Sequence, residues 1–168
     1  MLGTPEVVQL EQEVIAVKQK LTSAMRALPA EPVKDYTLTH APSGSPVGLA
    51  ELFGDSRELI LIHNMGKRCP YCTLWAVGFA SIHEHAANRC AFVLTTPDEP
   101  AVTGAFGSAR GWKFPILLHA ETTFAADMGY HGEESTFGPY EPGISTFEKR
   151  DSGQVVRVTT RSFGPGDH

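Results

Sequence analysis

Cysteines are few in this sequence of 168 residues, positive charges do not exceed negative ones, and long apolar runs are absent. Any pairing of the three cysteines leaves one over, unlike the disulfide framework of a secreted domain. The formal net charge of -5 argues against a nucleic-acid-binding surface. No window approaches the roughly 18 apolar residues of a membrane helix, and no basic segment leads into an apolar run at the N-terminus. We therefore expect a cytoplasmic location, without nucleic acid or membrane as a partner.

The first 32 residues are predicted to form a helical arm, and residues 33–168 a separate domain. Thr4 can cap the helix, and Pro5 suits its first turn because the missing N–H of proline costs nothing there. Apolar residues recur at spacings of three and four along one side: Val7, Leu10, Val14, Val17, Leu21, Ala24 and Leu28. Two interpretations stay open, an arm packed on its own domain and a homodimer formed through this helix.

Strands and helices alternate through the rest of the chain, which predicts an α/β fold with a central mixed sheet and helices on both sides. The strands are expected at 58–63, 91–95 and 114–118, and the helices at 70–86, 100–109 and 123–128. A hairpin over residues 36–52 precedes them, and a second over residues 144–160 follows. The Gly-, Glu- and Pro-rich segment from His131 to Gly143 is predicted to be a loop.

Two cysteines, Cys69 and Cys72, lie where a buried strand ends and a helix begins. The Cys69 sulfur is expected near the unpaired N–H groups and the positive end of that helix, and Lys67 and Arg68 add positive charge. Such surroundings favour the thiolate, which is the nucleophilic form of cysteine. Pro70, at the first helical position, supports this geometry. We predict that Cys69 is an exposed attacking thiol and that Cys72 is a protected resolving thiol.

A Cys-x-x-Cys pair is also half of a zinc site, which needs two further Cys or His ligands. His83 and His85 are the nearest in sequence, but they lie about three turns along the same helix. His131 is the remaining candidate ligand. Redox chemistry, metal binding and a purely structural role are therefore three open interpretations, and we assign no resident metal or cofactor.

The order of elements resembles the thioredoxin fold, and Pro70-Tyr71 between the cysteines is the dipeptide seen in glutaredoxins. The strand–helix stretch 114–130 is similar to the insertion of peroxiredoxins and cytochrome-maturation thioredoxins. The segment LIHNMGKRCPYCTLWA, residues 61–76, resembles the bacterial DUF899 family of thioredoxin-like proteins. Weaker similarities extend over nearly the whole chain, including Ser162-Phe-Gly-Pro-Gly-Asp167. The resemblance implies a thioredoxin-like three-layer fold and a dithiol–disulfide oxidoreductase.

This sequence departs from the thioredoxin pattern at three places. His63 stands where thioredoxins keep a buried acid; it can accept the Cys72 proton, or be satisfied by backbone or water. Ile144 falls at the position of the groove-forming cis-proline, with Pro115 as the alternative, so the substrate groove is not expected to be built in the usual way. Gly143, Ile144 and Ser145 are expected to line it. The segment after the last strand cannot form the usual final helix. Trp75 is expected to pack the cysteine helix on the sheet.

The leading functional prediction is a thiol–disulfide oxidoreductase that acts on a protein or small-molecule disulfide. Its partners would be a disulfide-containing substrate and an unidentified electron donor or acceptor. A peroxiredoxin-like thiol peroxidase is the first alternative, although the usual Pro-x-x-x-Thr-x-x-Cys lead-in is absent. The second alternative is a copper- or zinc-binding chaperone that uses Cys69, Cys72 and a distant histidine such as His131.

Overall fold

The computed structural model describes residues 3–135 and 138–164. The chain divides into two compact units, residues 1–30 and residues 31–168. The first unit contains helix α1, Pro5–Arg26, and the Thr4 hydroxyl accepts the Val7 N–H at 3.4 Å, as its capping role predicts. In the described part of the chain, no helix combines the length and apolarity needed to cross a membrane. Residues 165–168, where the sequence predicts no further helix, lie outside the described residues.

The second unit is built around a mixed sheet. Its strands are β1 (Glu31–Pro32), β2 (Thr37–His40), β3 (Pro46–Gly48), β4 (Glu58–His63), β5 (Ala91–Thr96), β6 (Ile116–Leu118), β7 (His131–Ser135), β8 (Gly138–Tyr140), β9 (Gly143–Lys149) and β10 (Val155–Ser162). Its helices are α2 (Pro70–Ala87), α3 (Pro100–Ser108) and α4 (Phe124–Asp127), with a 3-10 helix at Leu49–Phe53. The predicted strands and helices are therefore present, with bounds shifted by a few residues.

Eight of the strands form one sheet in the order β1-β10-β9-β4-β5-β6-β2-β3. Strands β4, β5 and β6 are parallel, and every other described pairing in this sheet is antiparallel. The parallel strands are joined by α2 and α3, because a parallel connection must cross the sheet from one end to the other. The predicted mixed sheet is confirmed.

Alternate residues of β4 point into two different apolar clusters, one on each face of the sheet. Leu59 and Leu61 pack in a cluster with Phe53 of the 3-10 helix and Phe124 of α4. Ile62 packs in the other cluster, which includes several residues of α2. The side-chain period of two along a strand produces this separation. The result is the predicted three-layer arrangement, with the carboxyl end of β4 buried at its centre.

The prediction that residues 131–143 form a loop is wrong. Strands β7 and β8 pair in a separate two-stranded sheet, with His131 opposite Tyr140. The segment lacks the alternation of apolar and polar residues that marks a half-buried strand. Backbone hydrogen bonding, which depends little on side-chain type, therefore forms a hairpin that the sequence pattern does not show.

The first residue of β9, Gly143, lies where there is no space for a side chain. It pairs with His63 of β4 and Ser162 of β10. A Cβ atom at this position would meet the ring of Tyr130 and the carbonyl oxygen of Arg161. The absence of a side chain at Gly143 thus lets the Tyr130 ring lie directly against the strand.

We expect Gly143→Ala to lower the free energy of unfolding by about 1–3 kcal/mol, because the added methyl group overpacks this contact. Urea denaturation would measure the change. Gly78→Ala is the matched control, since Gly78 lies within α2 with no atom inside 4 Å of an added Cβ. Alanine there should raise stability by about 0.5–1 kcal/mol through helix propensity. Equal stability of the two variants would contradict the close approach at Gly143.

Candidate active site

Side-chain hydrogen bonds hold the turn from β4 into α2. The Asn64 side chain accepts the Gly66 N–H at 2.7 Å and donates to the Cys72 carbonyl at 3.4 Å. The Asp98 carboxylate accepts the Lys67 N–H at 2.7 Å. Gly66 has a φ of +94°, and a Cβ there would run into the Asp98 carboxylate. The roles of Asn64 and Asp98 were not predicted from the sequence, although the step from strand to helix implies a turn that needs such partners.

Cys69 is the N-cap residue of α2, and its sulfur accepts the Cys72 backbone N–H at 3.2 Å. Both cysteines are unbonded thiols, and each is only 2 % exposed. The prediction that Cys69 is exposed is therefore wrong. The two cysteines form a buried cluster with Met65, and the half-buried Tyr140 of β8 packs against it. A residue from the hairpin that was not predicted thus contributes to covering the pair.

The two sulfurs nevertheless differ in their surroundings. Burial raises the pKa of the Cys72 thiol, with a smaller contribution from the neighbouring Cys69. Cys72 is therefore protonated near neutral pH. The Cys69 sulfur instead occupies the helix N-terminus, where N–H groups and the helix dipole bind negative charge.

Four of the predicted supporting residues surround the pair and are exposed: Lys67, Arg68, Pro70 and Tyr71. Pro70 is the first residue of α2, as predicted. Trp75 is half-buried, and its ring lies 4.7 Å from that of Phe163, which follows β10. Trp75 thus connects α2 to the chain just beyond the last strand of the sheet.

His63, the last residue of β4, is buried between an aromatic ring and a hydroxyl group. Its ring stacks on Tyr130 with centroids 3.6 Å apart, and its Nε2 lies 2.9 Å from the Ser145 hydroxyl. Its Nδ1 has no hydrogen-bond partner among the described residues. Burial, and then the charges of His119 and Arg157, hold the pKa of His63 well below its usual value. His63 is therefore neutral, and the transfer of the Cys72 proton to it stays a prediction.

The three predicted groove residues lie at the start of β9, next to the end of β4. Gly143 and Ser145 are buried, and Ile144 is half-buried. The Ser145 hydroxyl is within hydrogen-bond distance of both His63 and the Thr160 hydroxyl. This hydroxyl is already engaged inside the protein, and the backbone at Ser145 is paired with β4 on one side and β10 on the other. The groove itself stays a prediction.

A second buried histidine, His119, lies directly after β6 and contacts Tyr140. The two ring centroids are 5.0 Å apart, and His131 approaches the same tyrosine ring at 5.2 Å. Tyr140 therefore lies between two histidines and the cysteine cluster. In residues 3–135 and 138–164, no group of three or more His, Cys, Asp or Glu residues is placed to hold a metal ion. His131 is not brought to the cysteines as a third ligand.

The fold and the site together define a thioredoxin-like protein with a buried cysteine pair at the start of a central helix. The chain belongs to the family described as "Bacterial protein of unknown function (DUF899)", whose pattern it matches over residues 4–163. The resemblance given by residues 61–76 is thus confirmed. No curated protein matches the chain.

Solved structures with the same fold include several peroxiredoxins. Peroxidoxin BcpB from Mycobacterium tuberculosis is 23% identical, with a TM-score of 0.66 over 79% of this chain and 84% of that one. Reduced Prx3 from Vibrio vulnificus is 15% identical, with a TM-score of 0.67 over 84% and 90% of the two chains. A peroxiredoxin Q variant from Xanthomonas campestris is 15% identical, with a TM-score of 0.63 over 77% and 82%. These similarities confirm the thioredoxin-like fold class.

The buried His119 predicts a loss of stability in acid. Burial lowers its pKa from the ordinary 6.5 to about 4. Between these two values the unfolded chain binds a proton that the folded chain does not, so the stabilisation is complete above pH 6.5 and is lost as the pH falls towards 4. Protonation of His119 lowers the free energy of unfolding by at most about 3 kcal/mol.

We expect His119→Gln, which cannot titrate, to flatten the dependence of unfolding free energy on pH between 7 and 4. Urea denaturation at several pH values would measure it, and His85→Gln, at an exposed position of α2, is the matched control. If the unfolding free energy of the His119 variant changed with pH as steeply as that of the wild type, the pH dependence could not be attributed to His119.

Proposed function

We propose that Cys69 and Cys72 form a redox-active pair that exchanges electrons with disulfide substrates. The observation that carries this proposal is the hydrogen bond from the Cys72 N–H to the Cys69 sulfur at the N-terminus of α2. It gives the Cys69 sulfur an environment that binds negative charge, whereas burial raises the pKa of the Cys72 thiol and keeps it protonated. That asymmetry suits a pair in which one thiol attacks and the other resolves.

The proposed reaction has two displacement steps. The Cys69 thiolate attacks one sulfur of the substrate disulfide, so a mixed disulfide forms as the substrate S–S bond breaks and one substrate thiolate leaves. The Cys72 thiol then loses its proton and attacks the Cys69 sulfur, which releases the second substrate thiolate. Two electrons have passed to the substrate, and Cys69 and Cys72 are joined by a disulfide.

The second displacement, in which Cys72 resolves the mixed disulfide, is the more difficult of the two steps. Burial keeps the Cys72 proton in place at neutral pH, so this step needs a proton acceptor or water. The leaving substrate thiolate can take that proton, because it is generated in the same step. Neutral His63, with its unpartnered Nδ1, is the protein group proposed for the same role.

A complete cycle requires a second redox partner of the dithiol or disulfide class, which restores the starting state of the pair. The equilibrium potential of the pair against glutathione would give the direction of electron flow. A potential near about -270 mV would be that of a reductase, and one near about -120 mV that of an oxidant.

Burial of the cysteines favours a thiol peroxidase as the second candidate. Both cysteines are 2 % exposed, so a small molecule such as a peroxide reaches them more readily than a protein disulfide does. The peroxiredoxins among the solved structures share the fold. In this reaction the Cys69 sulfur bonds to one peroxide oxygen as the O–O bond breaks, and the departing alkoxide takes up a proton. Cys72 then displaces hydroxide from the Cys69 sulfenic acid, and water and the same disulfide result.

Single cysteine variants test the assignment of roles. We expect Cys72→Ser treated with glutathione disulfide to stop at a Cys69–glutathione adduct, because the resolving thiol is missing. Cys69→Ser should form neither that adduct nor an internal disulfide, and Cys90→Ser, which removes the third buried thiol, should behave like the wild type. Peptide mass spectrometry would identify each product. An adduct found on Cys72 instead would overturn the roles.

Stopped-flow oxidation of the wild-type pair separates the two candidates. Under the leading proposal, hydrogen peroxide oxidises the cysteine pair no faster than it oxidises free glutathione. Glutathione disulfide, in contrast, oxidises the pair through the Cys69–glutathione adduct. A peroxide rate constant on the order of 10² times that of glutathione or more would replace disulfide exchange by peroxidase chemistry. Failure of both reagents to form the Cys69–Cys72 disulfide would exclude both.

A further inference from the structure

Helix α1, taken by itself, has an apolar face along one side. Five side chains, which we call the α1 seam, lie along it at spacings of three and four: Val7, Leu10, Val14, Val17 and Leu21. Each is between 42% and 62% exposed, and no residue of α1 is buried. A contiguous apolar stripe of this kind on a soluble helix marks a protein contact.

The charges of α1 are divided between its two ends. Its acidic residues, Glu6, Glu11 and Glu13, all precede Val14, and its basic residues, Lys18, Lys20 and Arg26, all follow Val17. A partner of matching chemistry therefore offers an apolar face with positive charge at one end and negative charge at the other. A second α1, turned end for end, has this pattern.

We propose that α1 pairs with α1 of a second copy of this chain in an antiparallel helix dimer. The pairing places Val14 of one helix beside Val17 of the other, and Leu10 beside Leu21, so the seam is covered along its length. With 22 residues, α1 spans about 33 Å, a contact length of three heptads.

Flanking charges decide between the two orientations. In the antiparallel pair, Glu13 faces Lys20 of the second copy and Glu11 faces its Lys18, which gives four attractive pairs by symmetry. In a parallel pair, Glu13 still meets Lys18 of the second copy, but Glu6 meets Glu11. Two attractive contacts are then opposed by two repulsive ones. Like charges across such an interface oppose association, and opposite charges set the orientation.

Sedimentation and light scattering of the full-length protein test the assembly. We expect a mass twice that of one chain, and Leu10→Gln should raise the dimer dissociation constant at least tenfold. Ile15→Gln is the matched control, because Ile15 is 56% exposed and lies outside the seam, whereas Leu10 is 54% exposed within it. Ile15→Gln should change the constant less than twofold. A monomeric wild type, or equal effects of the two variants, would overturn the proposal.

Charge reversal tests the electrostatic argument. The double variant Lys18→Glu/Lys20→Glu should weaken the dimer at least tenfold at low salt, because every flanking contact becomes repulsive. Adding Glu11→Lys and Glu13→Lys to the same chain should restore wild-type affinity, because each pair then has opposite charges again. Restoration shows that the flanking charges of one α1 pair with those of the other across the dimer, and its failure would contradict the proposed helix pairing.

Engineered cysteines test the orientation, in chains whose native cysteines are replaced by serine. A mixture of Val14→Cys and Val17→Cys chains should form an oxidised heterodimer, and each chain alone should form little. Preferential cross-linking of Val14→Cys with itself would show a parallel dimer and overturn the proposed orientation. Circular dichroism of each variant confirms that α1 is still helical, so loss of the dimer is distinguished from loss of the helix.

Discussion

The start of α2 at Pro70 is the constraint on which the cysteine site depends. A helix that begins there makes Cys69 the N-cap residue and leaves the Cys72 N–H among the unpaired donors of the first turn. The Cys69 sulfur satisfies that donor, so helix capping and the proposed chemistry use the same contact. The side chains of Asn64 and Asp98 hold the turn between the end of β4 and the start of α2. The same sulfur thus has a structural role and a proposed chemical one.

Much of this arrangement can be predicted from the sequence because it depends on neighbours along the chain. The apolar run of β4 and the proline at the start of α2 are local signals, and they place Cys69 correctly. Burial of Cys69 is not local, because it depends in part on Tyr140, whose strand pairs through its backbone and carries no periodic pattern. The stack of His63 on Tyr130 joins residues far apart in sequence, and only the tertiary fold brings them together.

The pKa values of the buried histidines also depend on contacts between residues that are far apart in sequence. The sequence suggests a proton-accepting role for His63 from its position before the cysteines, but the strength of a base is set by its surroundings. Burial lowers the pKa of both His63 and His119, and each has an Nδ1 atom without a partner in the described part of the chain. Two neutral imidazoles thus lie at the carboxyl ends of β4 and β6.

The small sheet of β7 and β8 has a consequence for how access to the cysteines is controlled. Among the described residues it pairs only within itself, and a two-stranded hairpin is marginally stable on its own. Tyr140 belongs to this hairpin, whereas the cysteines belong to the junction of β4 and α2. Displacing the tyrosine would remove part of the cover of the cysteine cluster, and β8 is not a strand of the eight-stranded sheet. Global stability and exposure of the thiols are therefore separate properties, and selection could change either one without the other.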